Sequence, residues 1–338
     1  MPTISIILPT YNRASFLPAA FGAIRSQQWT DWELIVVDDG STDNTRELVP
    51  ELTRGWQQPV RYIYQENQGA YGARNTGLDH AAGKYIAFYD SDDLWLAHHL
   101  SDSVRALDTN PDVDWVWGAC RIVNLATGAE LAPTTFAVND KPRPFTKLTS
   151  RQIGPLRVIE DPLAACCQIE TGLFCGLQNS VIRRELFATY RFASELRNEA
   201  EDQVIVIWAL ASGFRFGYLN NIHVTYRIHS ANSSSTSQQT PIQKQRRIYE
   251  ALIAGFERLS QMSVLRKREQ RALARRLSQE HFWHLGYAVH WMHGQRNDAL
   301  REFRKGISYS PWNWRFWKTY LSASLFSTNR HFQAEDAT

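Results

Sequence analysis

A chain of 338 residues, 43% hydrophobic and 12% aromatic, can bury a sizeable core, which excludes global disorder. Its net charge of +3 gives no general attraction to an anionic partner, and its four cysteines (Cys120, Cys166, Cys167, Cys175) show neither metal-ligand spacing nor a disulfide framework. That usage points to a reduced, cytoplasmic compartment. No secretory leader is expected from the opening residues, and the longest apolar run, near 204–211, falls far below the ~20 residues of a membrane span.

The first hundred residues alternate between strand and helix. ISIIL (4–8) reads as a strand, and Phe16, Leu17, Ala20, Phe21 and Ile24 follow at helical spacing. ELIVV (33–37) is a second strand ending at DDGSTD, where Asn44 and Glu47 have the spacing of a capping box. RYIYQ (61–65) is a third, residues 69–82 read as a loop entering a helix, and Tyr85 to Tyr89 form a fourth. Strands written as continuous apolar runs between helices predict an α/β fold, with a mostly parallel sheet covered on both faces. DWVWGACRIV (114–123) predicts a further strand with a turn at Thr127-Gly128, after which 131–165 dissolves into Pro-rich loops. A helix resumes near 199–210. SSSTSQQT (233–240) reads as a linker, dividing the chain into a domain over 1–235 and an α-helical extension over 236–338.

In that second region, 241–280 holds ten Lys or Arg against four Asp or Glu, a local balance of +6. Phe282, Leu285, Val289 and Met292 keep a helical stripe, 297–307 reads as a second helix, and Pro311 marks the stop before a third. The arrangement is similar to one tetratricopeptide-like hairpin. His281, His284, His290 and His293 point to opposing sides of one helix, so no metal is assigned there. Trp312, Trp314 and Trp317 are expected to pack a helical core rather than form a stacking surface or an interfacial belt. The basic stretch reads as a solvated helix face, with an anionic membrane surface as the alternative.

Chemistry gathers where the strands end. In an open α/β sheet, ligands bind at the carboxyl ends of the strands. The first ends in Pro9-Thr10-Tyr11-Asn12, the second in Asp38-Asp39-Gly40-Ser41, the fourth in Asp90-Ser91-Asp92-Asp93. Three carboxylates within four positions repel one another unless water or a cation compensates them. Combined with the other two ends, they form an oxygen-rich site suited to Mg²⁺ or Mn²⁺ shared with a diphosphate. Asp38 to Ser41 alone reads as a turn. One helix cap does not need three carboxylates, so 90–93 carries the functional reading. LPTYNR stands where a dinucleotide-binding glycine turn would be needed, and no P-loop is present.

SIILPTYNR, ELIVVDDGSTD, NQGAYGARNTGL and KYIAFYDSDDLW, followed by NEAEDQVIVIWALASGFRF (198–216) and YRIHSANSS (226–234), resemble in order and spacing the family 2 glycosyltransferases. The likeness covers roughly residues 3–235 and implies a GT-A fold, a Rossmann-like sheet flanked by helices. It also implies an inverting, metal-dependent transfer from a nucleoside diphosphate sugar, a UDP-sugar being favoured, to a hydroxyl of a saccharide or lipid-linked acceptor. The implied setting is cell-surface polysaccharide or glycan assembly in the cytoplasm, at the inner face of the membrane with peripheral association, and without a nucleic-acid partner.

Carried over by position, the resemblance puts Pro9, Thr10, Tyr11 and Asp39 on the nucleobase and ribose of the donor, with Asp38 beside them. Arg74 would line the donor pocket, and Asp90 would meet the ribose or a metal-bound water. Asp92 would hold Mn²⁺ or Mg²⁺ with His229 near it, and Asp202 would be the general base. Such a carboxylate contributes about 10²–10⁴-fold in rate by taking the acceptor proton, and a cation stabilises the departing diphosphate. The chain departs from the family at Trp208, where an arginine is usual, which bears on the acceptor more than on the reaction. Glu201-Asp202 could also be a solvated acidic helix start. Two other classes stand as alternatives. A nucleotidyltransferase would need a glycine-rich basic loop where LPTYNR stands, and a non-catalytic scaffold is opposed by the intact Asp90, Asp92 and Asp202.

Overall fold

The computed structural model describes residues 1–229, 232 and 240–325. It divides into two compact units, Met1–Asn232 and Ser233–Thr338. Apart from Thr240, the expected linker lies outside the described residues.

In the first unit, β1 (Ile4–Thr10), α1 (Leu17–Arg25), β2 (Trp32–Asp38), α2 (Thr45–Leu52), β3 (Val60–Tyr64), α3 (Gly69–His80) and β4 (Tyr85–Phe88) alternate as the apolar runs predict. They build a parallel block in the order β3-β2-β1-β4. A short β5 (Leu94–Trp95) and α4 (His99–Thr109) lead to β6 (Trp115–Asn124). Beyond it come β7 (Glu130–Ala132), β8 (Ala137–Val138), β9 (Lys141–Pro142), β10 (Ser150–Ile153), β11 (Leu156–Ile159), α5 (Ala164–Glu170), β12 (Ser180–Arg183), α6 (Glu201–Ala211) and β13 (Phe216–Ile228). The sheet runs β10-β11-β13-β6-β12-β4-β1-β2-β3, with β6 and β13 parallel and β12 antiparallel between the two parallel groups.

Period-two alternation explains how both faces are covered. Ile4, Ile6 and Leu8 of β1 pack with Leu17, Ala20, Phe21 and Ile24 of α1. Ile7 points the other way, toward Leu78 of α3 and Ile86 and Phe88 of β4. A Cβ on Gly77 would sit 2.3 Å from Cγ2 of Ile7, so this glycine lets α3 lie close against the sheet. Ala there would gain helix propensity of about 1 kcal/mol, but the stiff β-branched neighbour makes overpacking, at about 1–3 kcal/mol, the larger effect.

Three expectations change. Asn44 makes no capping bond. Asp43 does that work instead: Oδ1 accepts from the Thr45 N–H at 3.1 Å and the Thr45 hydroxyl at 2.6 Å, and Oδ2 accepts from the Ala14 N–H at 3.0 Å. Residues 131–165 are not all loop, since β10 and β11 form a hairpin that extends the sheet beside β13. Strands of two to four residues are too short to display a period.

The third change lies in the second unit, built from α7 (Ile242–Gln261), α8 (Lys267–Gln279), a π-helix (Glu280–His290), α9 (Arg296–Tyr309) and α10 (Trp314–Leu325). Phe282 stacks on Phe303 and Phe316 at 4.4 and 4.2 Å, and forms the core with Ala299, Ile307 and Ala323. Leu285 and Val289 are buried, but Met292 is exposed. The wider π turn followed by a 3₁₀ turn moves it off the 3.6-residue stripe. Trp312, Trp314 and Trp317 are exposed too, because α10 buries Phe316, Thr319 and Ala323 instead. His281 is buried against Glu302, its Nδ1 2.7 Å from Oε2, and His284 meets Glu280 at 2.7 Å. No helix among the described residues is long and apolar enough to cross a membrane.

Candidate active site

Register places the strand ends side by side: Thr10 pairs with Asp38, and Asp38 with Tyr64. The loops after β1 and β2 then lock together. Asn12, in the left-handed region at φ 52°, donates its N–H to the Ser41 hydroxyl at 2.9 Å, and its Oδ1 accepts from the Thr42 N–H at 2.8 Å. Asp38 is wholly buried, accepting from the Ser41 N–H and the Tyr62 hydroxyl. Asp39 turns to the start of α3, where its oxygens accept from Gln65 Nε2 (2.7 Å), the Gln68 N–H (2.9 Å) and the Gly69 N–H (2.7 Å). A carboxylate at a helix N-terminus is favourable there. Both aspartates therefore shape the pocket wall. Pro9 and Thr10 end β1, the Thr10 hydroxyl is buried with no partner among the described residues, and the Tyr11 ring is half exposed.

Across from this wall lies the cluster after β4. Arg74, projecting from α3 and only 4% exposed, donates from Nη2 to Asp90 Oδ1 at 2.8 Å and from Nη1 to Asp202 Oδ1 at 3.3 Å. Its guanidinium rests over the rings of Tyr71 and Phe88, 5.3 and 5.8 Å from their centroids. Burial by itself would weaken its charge, yet Asp90 and Asp202 outweigh burial and hold it above the usual arginine range. Burial pushes the Asp90 carboxyl up, against the pull of Arg74.

Asp92 faces a different set. Its Oδ2 is 3.1 Å from His229 Nε2 and 3.8 Å from Arg13 Nη1. Asp93 departs from both: it is buried, accepts from the Arg227 N–H at 3.0 Å, and burial followed by Asp92 and Asp90 drives its carboxyl well up. The three carboxylates are thus split, Asp90 to Arg74, Asp92 to His229 and Arg13, and Asp93 into the core.

Asp202 is the second residue of α6, which begins after Ala200 at φ 80°. Glu201 is fully buried on the Tyr190 hydroxyl, whereas Asp202 keeps 38% of its side chain exposed. This is not a solvated helix start. The segment before it is fixed to α3: the Tyr71 N–H donates to the Arg197 carbonyl at 3.0 Å, the Ala70 N–H to Asn198 Oδ1 at 2.8 Å, and Gly69 at φ 84° lies where a Cβ would meet Arg197 Cα at 2.7 Å. Residues 69–74 and 197–202, distant in sequence, therefore form one wall.

The residues present fit a divalent cation. A carboxylate and an imidazole are both ligand types for such an ion, and Asp92 Oδ2 and His229 Nε2 stand 3.1 Å apart. Arg13 and Arg227 are members of this neighbourhood that motif spacing did not single out. A second group of ligand-type side chains, His98, Asp102 and His223, also escaped the sequence reading, with ligand atoms within 4.8 Å of one another. His223 Nδ1 is 3.1 Å from Nδ1 of the buried His99, and Gly118 makes room for the His223 ring, which a Cβ there would approach to 2.2 Å.

The histidine pair has an acid signature. Burial, then His223 and His98, hold His99 well below the imidazole range, and burial followed by His98 brings His223 to about 3. Both rings are neutral when folded and titrate near ~6.5 when unfolded. Their stability is therefore fully present above that pH and lost as pH falls toward 3. The expected acid limb is about 1.4 kcal/mol per pH unit for each ring. Urea titrations between pH 7 and 4.5 should show His223→Gln flattening it by roughly half.

The glycosyl transferase family 2 profile matches residues 5–188, more than half of the chain. An Escherichia coli protein, UDP-Glc:alpha-D-GlcNAc-diphosphoundecaprenol beta-1,3-glucosyltransferase WfgD, is 36% identical over 139 residues, 40% of this chain and 53% of that protein. The succinoglycan biosynthesis protein ExoW of Rhizobium meliloti is 30% identical over 205 residues, 60% of this chain and 61% of its own length. The chain thus spans less than two thirds of these curated relatives. Among solved structures, Staphylococcus aureus TarS 1–349 in complex with UDP-GlcNAc superposes with a TM-score of 0.64 at 20% identity, covering 91% of this chain and 82% of that one. Mannosyltransferase PcManGT from Pyrobaculum calidifontis, in complex with GDP-Man and Mn²⁺, gives 0.56 at 19% identity, covering 96% and 86%. These likenesses show the GT-A fold, and with the profile match they establish that the chain belongs to glycosyl transferase family 2.

Proposed function

We propose that this protein is an inverting glycosyltransferase that moves a sugar from a nucleoside diphosphate donor, by preference a UDP-sugar, to a hydroxyl of a lipid-linked or saccharide acceptor in cell-surface glycan assembly. One observation carries the reading: Arg74 binds Asp90 and Asp202 at once, so a donor-side carboxylate and a partly exposed base share one pocket. Residues 1–235 are assigned to the transferase proper and 236–338 to a helical extension.

In this assignment Tyr11 stacks on the base, the Thr10 hydroxyl takes a donor hydrogen bond, and Asp39, with Asp38 beside it, meets the base and ribose while holding the start of α3. Asp92 and His229 are the residues that would hold the cation, and the chemistry supplied there is charge neutralisation at the departing diphosphate. An imidazole beside a carboxylate suits Mn²⁺ better than Mg²⁺. Asp202 takes the proton of the acceptor hydroxyl, aimed by its bond to Arg74 and reachable through its exposed edge. The names of relatives that act on diphosphoundecaprenol carriers support a lipid-linked acceptor and work at the cytoplasmic membrane face.

Calorimetric titration with UDP, GDP and dTDP, each with and without Mn²⁺, tests the site. UDP should bind only with the metal, and Asp92→Ala or His229→Ala should weaken binding at least about tenfold. If the folded protein binds none of the nucleotides, the transferase reading fails.

A further inference from the structure

The last described helix is apolar on two sides. At 100° per residue, Trp314, Trp317, Leu321 and Leu325 fall within about 80° of one another, opposite the buried Phe316, Thr319 and Ala323. Phe316 is taken up by the core of its own unit, stacked on Phe282. The other face is open: Trp314 is 66% exposed, Trp317 43%, Leu321 54% and Leu325 77%, with Trp312 at 94% just before the helix. Five large apolar side chains within fourteen residues form a patch that calls for a partner.

Charge narrows that partner. Residues 240–325 contain sixteen Lys or Arg and six Asp or Glu, a balance of +10, whereas residues 1–232 hold twenty and twenty-six, a balance of −6. Between 303 and 325 there are four cations (Arg304, Lys305, Arg315, Lys318) and no carboxylate, although Lys305 pairs with Glu302 at 3.3 Å. Lys318 lies near the stripe, its ammonium 6.0 Å from the Trp314 ring centroid, so its stem can lie along the patch while the charge reaches outward. A second copy would bring two such basic faces together, with like charges opposed.

We propose that this face of α10 docks on an anionic lipid bilayer. Tryptophan settles at the headgroup boundary, leucine enters the acyl region, and Lys318 beside them meets lipid phosphates. The inference goes beyond the transferase reading and needs no turnover. It would hold the site close to an acceptor carried on a lipid.

The test is co-sedimentation of the full chain with vesicles of phosphatidylcholine alone or with about 30% phosphatidylglycerol, at low and high salt. Binding is expected to the anionic vesicles, to weaken with salt, and to drop about tenfold or more in the triple variant Trp312→Ala, Trp314→Ala, Trp317→Ala and in Leu321→Glu. Far-UV circular dichroism and UDP calorimetry should be unchanged in both variants. The proposal is overturned if the wild type ignores anionic vesicles, if the variants bind them equally well, or if the wild type is a dimer that the variants dissociate. Vesicle binding without nucleotide binding would sink the transferase reading and leave this inference standing.

Discussion

Asp202→Asn is expected to lower kcat by about 10²- to 10⁴-fold, while the donor's dissociation constant stays within about twofold. The asparagine has nearly the same shape and keeps an oxygen to accept from Arg74 Nη1, now 3.3 Å from Asp202 Oδ1. The wall formed with residues 197–200 should therefore persist. What is lost is the ability to take a proton. Ala is a poorer probe, because it would leave Arg74 facing Asp90 alone and mix a structural effect with a chemical one. Glu201 cannot substitute as base, since it is buried on the Tyr190 hydroxyl. Steady-state kinetics with the cognate donor, together with calorimetry, separate the two quantities. Retention of kcat would show that Asp202 only positions Arg74.

The inner parallel strands were legible because a strand buried on both faces is mostly apolar, as in the central LIVV of β2, where every residue is buried; β3, at the sheet edge, is only partly buried. The strand-end motifs were legible as chemistry, but not as a division of labour. Nothing in DSDD says that Asp93 turns inward to the Arg227 N–H while Asp90 and Asp92 stay at the pocket. That choice depends on β13, more than 130 residues later. Likewise, Arg74 and Asp202 are separated by 128 positions, and only the docking of residues 197–200 on α3 makes them neighbours. Asp39 was legible as a strand-end carboxylate, but not as the group that also accepts from the first N–H groups of α3, a bond set by cross-sheet register. The tryptophans near residue 314 misled for another reason. Hydrophobicity says that a side chain favours leaving water, not whether its own fold provides the place to go.

Arg74→Leu should cost about 3 kcal/mol of unfolding free energy, the low end for breaking a buried ion pair, and abolish metal-dependent nucleotide binding. The low end applies because Asp90 retains 29% side-chain exposure and can be partly rehydrated. Leucine can occupy the apolar space beside Tyr71 and Phe88, so packing is not the main loss. The main loss is compensation: Asp90 and Asp202 would face each other without the guanidinium that bridges them, and Arg13 pairs with Asp92. Arg74→Lys should fall between, because a single ammonium cannot span both carboxylates as the planar fork does through Nη1 and Nη2. Urea denaturation reads the stability change, and titration of UDP with Mn²⁺ reads the site. A Leu variant as stable as the wild type and still binding nucleotide would mean that these carboxylates are compensated from elsewhere. The pocket would then owe its geometry to the loops after β1 and β2, and the Arg74 bridge could no longer carry the assignment of Asp202 as base.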